Sequence, residues 1–151
     1  MLSSVHKSAA AIATLMIATF WVSTVVSELF LGHAAITAIK TAIPYGFLIL
    51  IPAMAATGIT GARLAKGRKG GVLGKKSKRM PIVAANGVLV LIPAALFLAS
   101  KAQAGAFDTT FYVVQVVELI AGATNLTLMG LNIRDGRKLT AGKRRRAAQH
   151  T

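Results

Sequence analysis

At 151 residues the chain is long enough for one domain, and 54% hydrophobic against 15% charged residues sets it apart from soluble globular proteins. Its formal net charge is +14, and it has no cysteine, which removes disulfides, thiolate metal sites, iron–sulfur clusters and cysteine catalysis together.

The charges leave long gaps. There are 20 uncharged residues between Lys7 and Glu28, 22 between Lys40 and Arg63, and 21 between Arg79 and Lys101, and Glu118 is the only charge between Asp108 and Arg134. A helix rising about 1.5 Å per residue needs about 20 mostly apolar residues to cross the hydrocarbon layer. The pattern predicts four membrane-spanning helices, near 9–31, 35–61, 81–101 and 109–133. A soluble helical bundle is the rival reading, but buried soluble helices rarely run so far without a polar face.

The first span has features of a cleaved signal peptide, with Lys7 ahead of an apolar run and Gly32-His33-Ala34 resembling a small-x-small cleavage site. Its apolar run exceeds the about 7–15 residues of a signal peptide, so it reads as an uncleaved span. The second span contains Lys40, two prolines at 44 and 52, and the small-residue row Ala53, Thr57 and Gly61. The third contains Pro93 and the group Ala85, Asn86 and Gly87. Each internal proline frees a backbone carbonyl and can kink its helix, and small residues suit close helix contacts. Trp21, Tyr45 and Tyr112 are too few to define an aromatic belt at the interfaces.

Between the second and third spans lies a basic loop, 63–79, and beyond the fourth a basic tail; these hold eight and seven of the 18 basic residues. Four spans put the N-terminus, this loop and the C-terminus on one side. Short loops rich in Lys and Arg stay cytoplasmic during insertion, so the expected topology is N-in and C-in, with small outer loops near 32–34 and 102–108. Setting orientation is sufficient reason for this charge. The same side chains are candidate contacts for anionic headgroups: Arg63, Lys66, Arg68, Lys69, Lys75, Lys76, Lys78 and Arg79 in the loop, and Arg144, Arg145 and Arg146 in the tail. Nucleic acid is disfavoured as a partner, because these stretches carry no aromatic residue for stacking and match no binding module.

The fourth span carries a pattern. Phe111, Gln115, Glu118, Gly122, Asn125, Met129 and Asn132 are spaced by alternating steps of 4 and 3, which places them along one helical seam. A carboxylate at the centre of a span costs about 2.5–3.5 kcal/mol on insertion scales, so the seam should face other helices, and it is expected to pack against the second span. Gly122 would allow close approach there. Lys40 is the natural partner for Glu118, because their predicted depths differ by only about 4–5 Å. Lys40, Gln115, Glu118 and Asn125 form the candidate intramembrane polar cluster, with Glu28, His33, Asp108 and Tyr112 as candidate polar residues of the outer face.

Two readings of this cluster stay open. One is a buried ion pair with hydrogen-bonding amides that fixes helix register, and the other is a proton relay or small-ligand site. No cofactor is expected. The histidines His6, His33 and His150 are placed wrongly for a bis-histidine haem, with His6 and His33 at opposite ends of the first span. Glu28, His33 and Asp108 lack a diagnostic metal-binding spacing. No phosphate-binding loop, zinc-protease motif, paired catalytic carboxylates or nucleophile motif occurs, so no catalytic residue is assigned and an enzyme is not expected.

The stretch FDTTFYVVQVVELIAGATNLTLMGLNIRDG at 107–136, together with AANGVLVLIPAALFLA at 84–99, resembles small four-span inner-membrane proteins of bacteria to which no activity is assigned. The resemblance implies a bacterial cytoplasmic membrane and carries over no functional residue. The expected architecture is an all-α, antiparallel four-transmembrane-helix bundle over 1–139 with a basic tail at 140–151. The expected function is that of a non-enzymatic structural or accessory membrane component, as a homo-oligomer or part of a larger complex. The alternative is a small proton-coupled transporter built on Glu118 and Lys40.

Overall fold

The computed structural model describes the backbone of residues 1–64 and 71–148 and the side chains of 1–64, 79–138 and 141. Every element among them is helical: α1 (Leu2–Phe30), α2 (His33–Leu64), α3 (Gly71–Asn86), a π-helical turn (Gly87–Leu91), α4 (Ile92–Gln103) and α5 (Thr109–Ala148). Four helical stretches are long and apolar enough to cross a membrane: Leu2–Phe30, His33–Leu64, Arg79–Gln103 and Thr109–Lys138.

The helices outrun the predicted spans at the basic end. Helix resumes at Gly71 inside the stretch read as loop, and α5 runs through most of the stretch read as tail, to Ala148. Lysine and arginine are good helix formers, so their charge limits immersion in lipid without limiting helix.

The turns at the other end are short. α1 stops at Leu31, whose backbone is extended at φ −122° and ψ 165°, and α2 begins two residues later. α4 ends in a Schellman motif: Ala106 N–H donates to the Lys101 carbonyl at 2.9 Å and Gly105 N–H to that of Ala102 at 3.1 Å. This closure needs a left-handed residue, and Gly105 supplies it at φ +67°. Asp108 then caps α5, its Oδ1 accepting the Phe111 N–H at 2.9 Å.

Pro44 and Pro52 lie within α2, which continues through both. In the third span the irregularity precedes Pro93. That proline has no N–H for the carbonyl four residues back, and the turn before it widens until Ile92 N–H bonds the Gly87 carbonyl, five residues back.

The four spanning stretches stand in a ring. α1 packs on α2, α2 on α4, the third stretch on α5, and α5 on α1. The expected packing of the fourth span's seam against the second is therefore corrected: α5 lies between α1 and the α3–α4 stretch, with α2 diagonally opposite. Short connections make successive helices neighbours, which leaves the second and fourth at opposite corners. Only long side chains from α2 can reach α5.

The core is built largely of small residues. Ala13 and Ile17 of α1, Leu50 and Ala53 of α2, Val83 of α3 and Met129 of α5 form one buried cluster; Ile36, Leu98, Ala102 and Phe111 form a second toward the short turns. Large apolar side chains such as Leu29, Leu48, Leu89 and Ile120 face outward. This distribution suits a lipid surround. Gly46 and Gly122 permit aromatic rings from α1 to seat against neighbouring backbone: a Cβ would lie 2.3 Å from Phe20 Cζ at Gly46 and 2.8 Å from Trp21 Cδ1 at Gly122.

Candidate functional site

The seam of α5 is turned into the bundle. Phe111 and Asn125 are fully buried, and Gln115, Gly122, Met129 and Asn132 are buried with them; Glu118 keeps a small exposed fraction. One turn further on, Asp135 extends the same face.

Three helices meet around Glu118. Lys40 of α2, with no solvent-exposed surface, places Nζ 2.5 Å from Glu118 Oε2 across the diagonal and 3.5 Å from Thr24 Oγ1 of α1. Gln115 Nε2 donates to the same Glu118 oxygen at 3.1 Å. Ser27, also buried, donates to the Thr24 carbonyl at 3.0 Å. The spacings explain the convergence, since Gln115 and Glu118 share a face of α5 and Thr24, Ser27 and Glu28 share a face of α1. Glu28 interacts electrostatically with Lys40, Glu118 and His33. Its Oε1, like Gln115 Oε1, is closed off from solvent and has no hydrogen-bond partner among the described residues.

Asn125 does not belong to this cluster, which corrects the sequence grouping. It lies about 10 Å further along α5. There its Oδ1 accepts from Asn86 Nδ2 at 2.9 Å and its Nδ2 donates to the Val83 carbonyl at 3.3 Å. Asn86 also donates to the Ala121 carbonyl at 2.9 Å, so two amides bridge α3 and α5 beside the π-helical turn. The separation follows from pitch, because two helical turns divide residues that share a face.

A third polar layer lies near the basic end. Asn132 Nδ2 meets Met80 Sδ at 3.4 Å, and Arg79 Nη1 pairs with Asp135 at 2.8 Å. Arg79, a candidate headgroup contact, thus directs its guanidinium to a buried carboxylate of α5. Arg63 is exposed at the end of α2. Lys66, Arg68 and Lys69 lie outside the described residues, as do the side chains of Lys75, Lys76, Lys78, Arg144, Arg145 and Arg146.

The outer-face candidates are dispersed. His33 stacks on Phe107 with ring centroids 4.0 Å apart, while Tyr112 is exposed and meets Phe111 edge-on. Asp108 binds Lys101, and the described residues contain no group of three or more His, Asp or Glu side chains able to hold a metal.

The hydrogen bond from Lys101, followed by that from Phe111 N–H, holds the Asp108 carboxyl below the ordinary aspartate value. A depressed folded-state value means that the carboxylate adds stability above its unfolded pKa, and that this contribution is lost as pH falls through the folded value. Asp108→Asn keeps a capping oxygen without the charge. Its melting temperature should fall below wild type at neutral pH, with the gap closing as the solution is acidified. A gap constant with pH would refute this account.

Several participants escape the sequence reading. Thr24 and Ser27 look like ordinary small polar residues of an apolar helix, although their spacing with Glu28 was a usable signal. Asn86 was visible only as part of a small-residue group. The Arg79–Asp135 pair was hidden by its place in strongly basic surroundings.

Comparisons with protein-family models, with curated proteins and with solved structures gave no match. Chemically, the site combines a neutralised ion pair, amides, hydroxyls and a second carboxylate inside an apolar bundle.

Proposed function

We propose that the protein is a multi-pass component of the bacterial cytoplasmic membrane, N-in and C-in, and that it serves as a structural or accessory subunit. The carrying observation is the closure of its central charge. Lys40 is fully buried, with its ammonium held by Glu118 and Thr24, so the pair locks α2 to α1 and α5. A group that relays protons must meet water on each side in turn, whereas this arrangement favours a fixed register. Anionic headgroups at the basic end and a second copy or larger assembly around the apolar flanks are the partners this reading implies.

Orientation is supported by Lys7, Arg63, Arg79, Arg134, Arg137 and Lys138, which lie on the helices toward the end of the bundle that holds Met1, Leu64 and Gly71. The chain has no native cysteine to interfere with single-cysteine labelling. In intact cells Ala104→Cys, at an exposed position of the α4–α5 turn, should react with an impermeant maleimide, and Gly70→Cys should react only after permeabilisation. The reverse pattern would overturn the topology.

The unpartnered oxygens of Glu28 and Gln115 favour a second reading, a small proton-coupled carrier. Glu118→Gln separates the two. On the structural reading it lowers the melting temperature, and reconstituted vesicles show no pH-driven flux in either wild type or variant. A wild-type flux abolished in a still-folded variant would establish the carrier.

A further inference from the structure

We propose that Glu28 and Gln115 form a binding site for a small monovalent cation, a proton or an alkali-metal ion, beside the Lys40–Glu118 pair. The first argument is donor count. Gln115 is only 3% exposed, and its amide orientation follows from chemistry: the NH₂ group faces Glu118 Oε2 at 3.1 Å, where an amide oxygen would meet a carboxylate. Its Oε1 is consequently a buried acceptor without a donor, and Glu28 Oε1 is another. Unmet buried acceptors are costly in an apolar interior, and a bound proton or cation satisfies them.

The second argument is charge. Lys40 neutralises Glu118, which leaves Glu28 as the surplus negative group. Glu28 lies one turn beyond Thr24 on α1 and Gln115 one turn before Glu118 on α5, both on the short-turn side of the Lys40 contact, and the charged groups that act on Glu28 are Lys40 and His33 of α2 and Glu118 of α5. His33 is exposed and stacked on Phe107, while the Lys40 ammonium is engaged by Glu118 and Thr24. One positive charge restores neutrality. A divalent ion would overshoot beside the buried ammonium. Carboxylate and amide oxygens are hard ligands suited to a proton or an alkali ion, and unsuited to soft transition metals.

The inference is independent of whether the protein acts as an assembly component, because it requires only the packing of α1, α2 and α5. Its test is the thermal unfolding of purified protein in nanodiscs, followed by Trp21 fluorescence. Wild type and Glu28→Gln are compared over a pH series in choline, lithium, sodium or potassium chloride at one ionic strength. In choline, wild type should lose several degrees of melting temperature, relative to Glu28→Gln, as rising pH strips the proton. If an alkali ion takes the site, sodium, lithium or potassium restores the loss; if only a proton does, no salt restores it.

Glu28→Gln, neutral and close in shape, should flatten both dependences. Infrared difference spectra supply a readout independent of stability. A protonated-carboxyl band that shifts to lower frequency in deuterium oxide and disappears as pH rises in wild type, and is missing from Glu28→Gln, identifies the proton; its loss on adding an alkali salt identifies the alkali ion. Identical pH and salt responses in the two proteins, or no carboxyl band and no salt effect in wild type, would overturn the proposal.

Discussion

Lys40→Met should be among the most damaging single substitutions in this protein, and Lys40→Met combined with Glu118→Leu should be better tolerated. Lys40 is completely buried and Glu118 nearly so, at a separation of 2.5 Å. Removing one partner of a buried pair leaves an uncompensated charge, at a cost of about 3–5 kcal/mol, whereas replacing both with apolar side chains is often neutral. Methionine resembles lysine in length and fills the space left by its stem. The double variant also leaves Gln115 Nε2 without its acceptor, so a partial recovery is expected. Thermal unfolding in detergent, arranged as a double-mutant cycle, gives the comparison. If the losses from the two single changes simply add in the double variant, direct coupling between Lys40 and Glu118 is excluded.

Gly122→Leu should disrupt the contact between α1 and α5. A Cβ at position 122 would already lie 2.8 Å from Trp21 Cδ1, and the indole is tied down by a 3.0 Å hydrogen bond from Nε1 to the Leu119 carbonyl. Overpacking of this kind costs about 1–3 kcal/mol, and losing the indole bond adds to it. Trp21 is the only tryptophan in the chain, so its emission reports directly on the contact. The expected result is a lower melting temperature with red-shifted emission. Trp21→Ala should suppress much of the Gly122→Leu penalty by vacating the space. No relief in the double variant would show that Gly122 is constrained by something other than the indole.

The seam of α5 was readable because steps of 3 and 4 repeat over six turns, and each of its members from Phe111 to Asn132 is buried or nearly so. Lys40 was readable as the match for Glu118 by depth alone, since helical rise converts residue number into height. Depth does not specify azimuth. Residue spacing therefore points to α2 beside α5, whereas the two stand at opposite corners and a single lysine spans the diagonal. A shared face likewise groups Asn125 with Glu118 in the sequence, whereas two turns place them in separate layers.

Hydrophobic spacing and charge placement along this chain determine the number of helices long and oily enough to cross a membrane, their faces and the depth of each polar group. These are one-dimensional properties, set by a fixed rise and a fixed angle per residue. Which helix stands beside which, that Thr24 and Asn86 serve the buried charges and amides, and that Arg79 turns inward to Asp135 were decided only by tertiary packing. Those pairings depend on connections and side-chain volumes summed over the whole bundle, and no local stretch of sequence contains that sum.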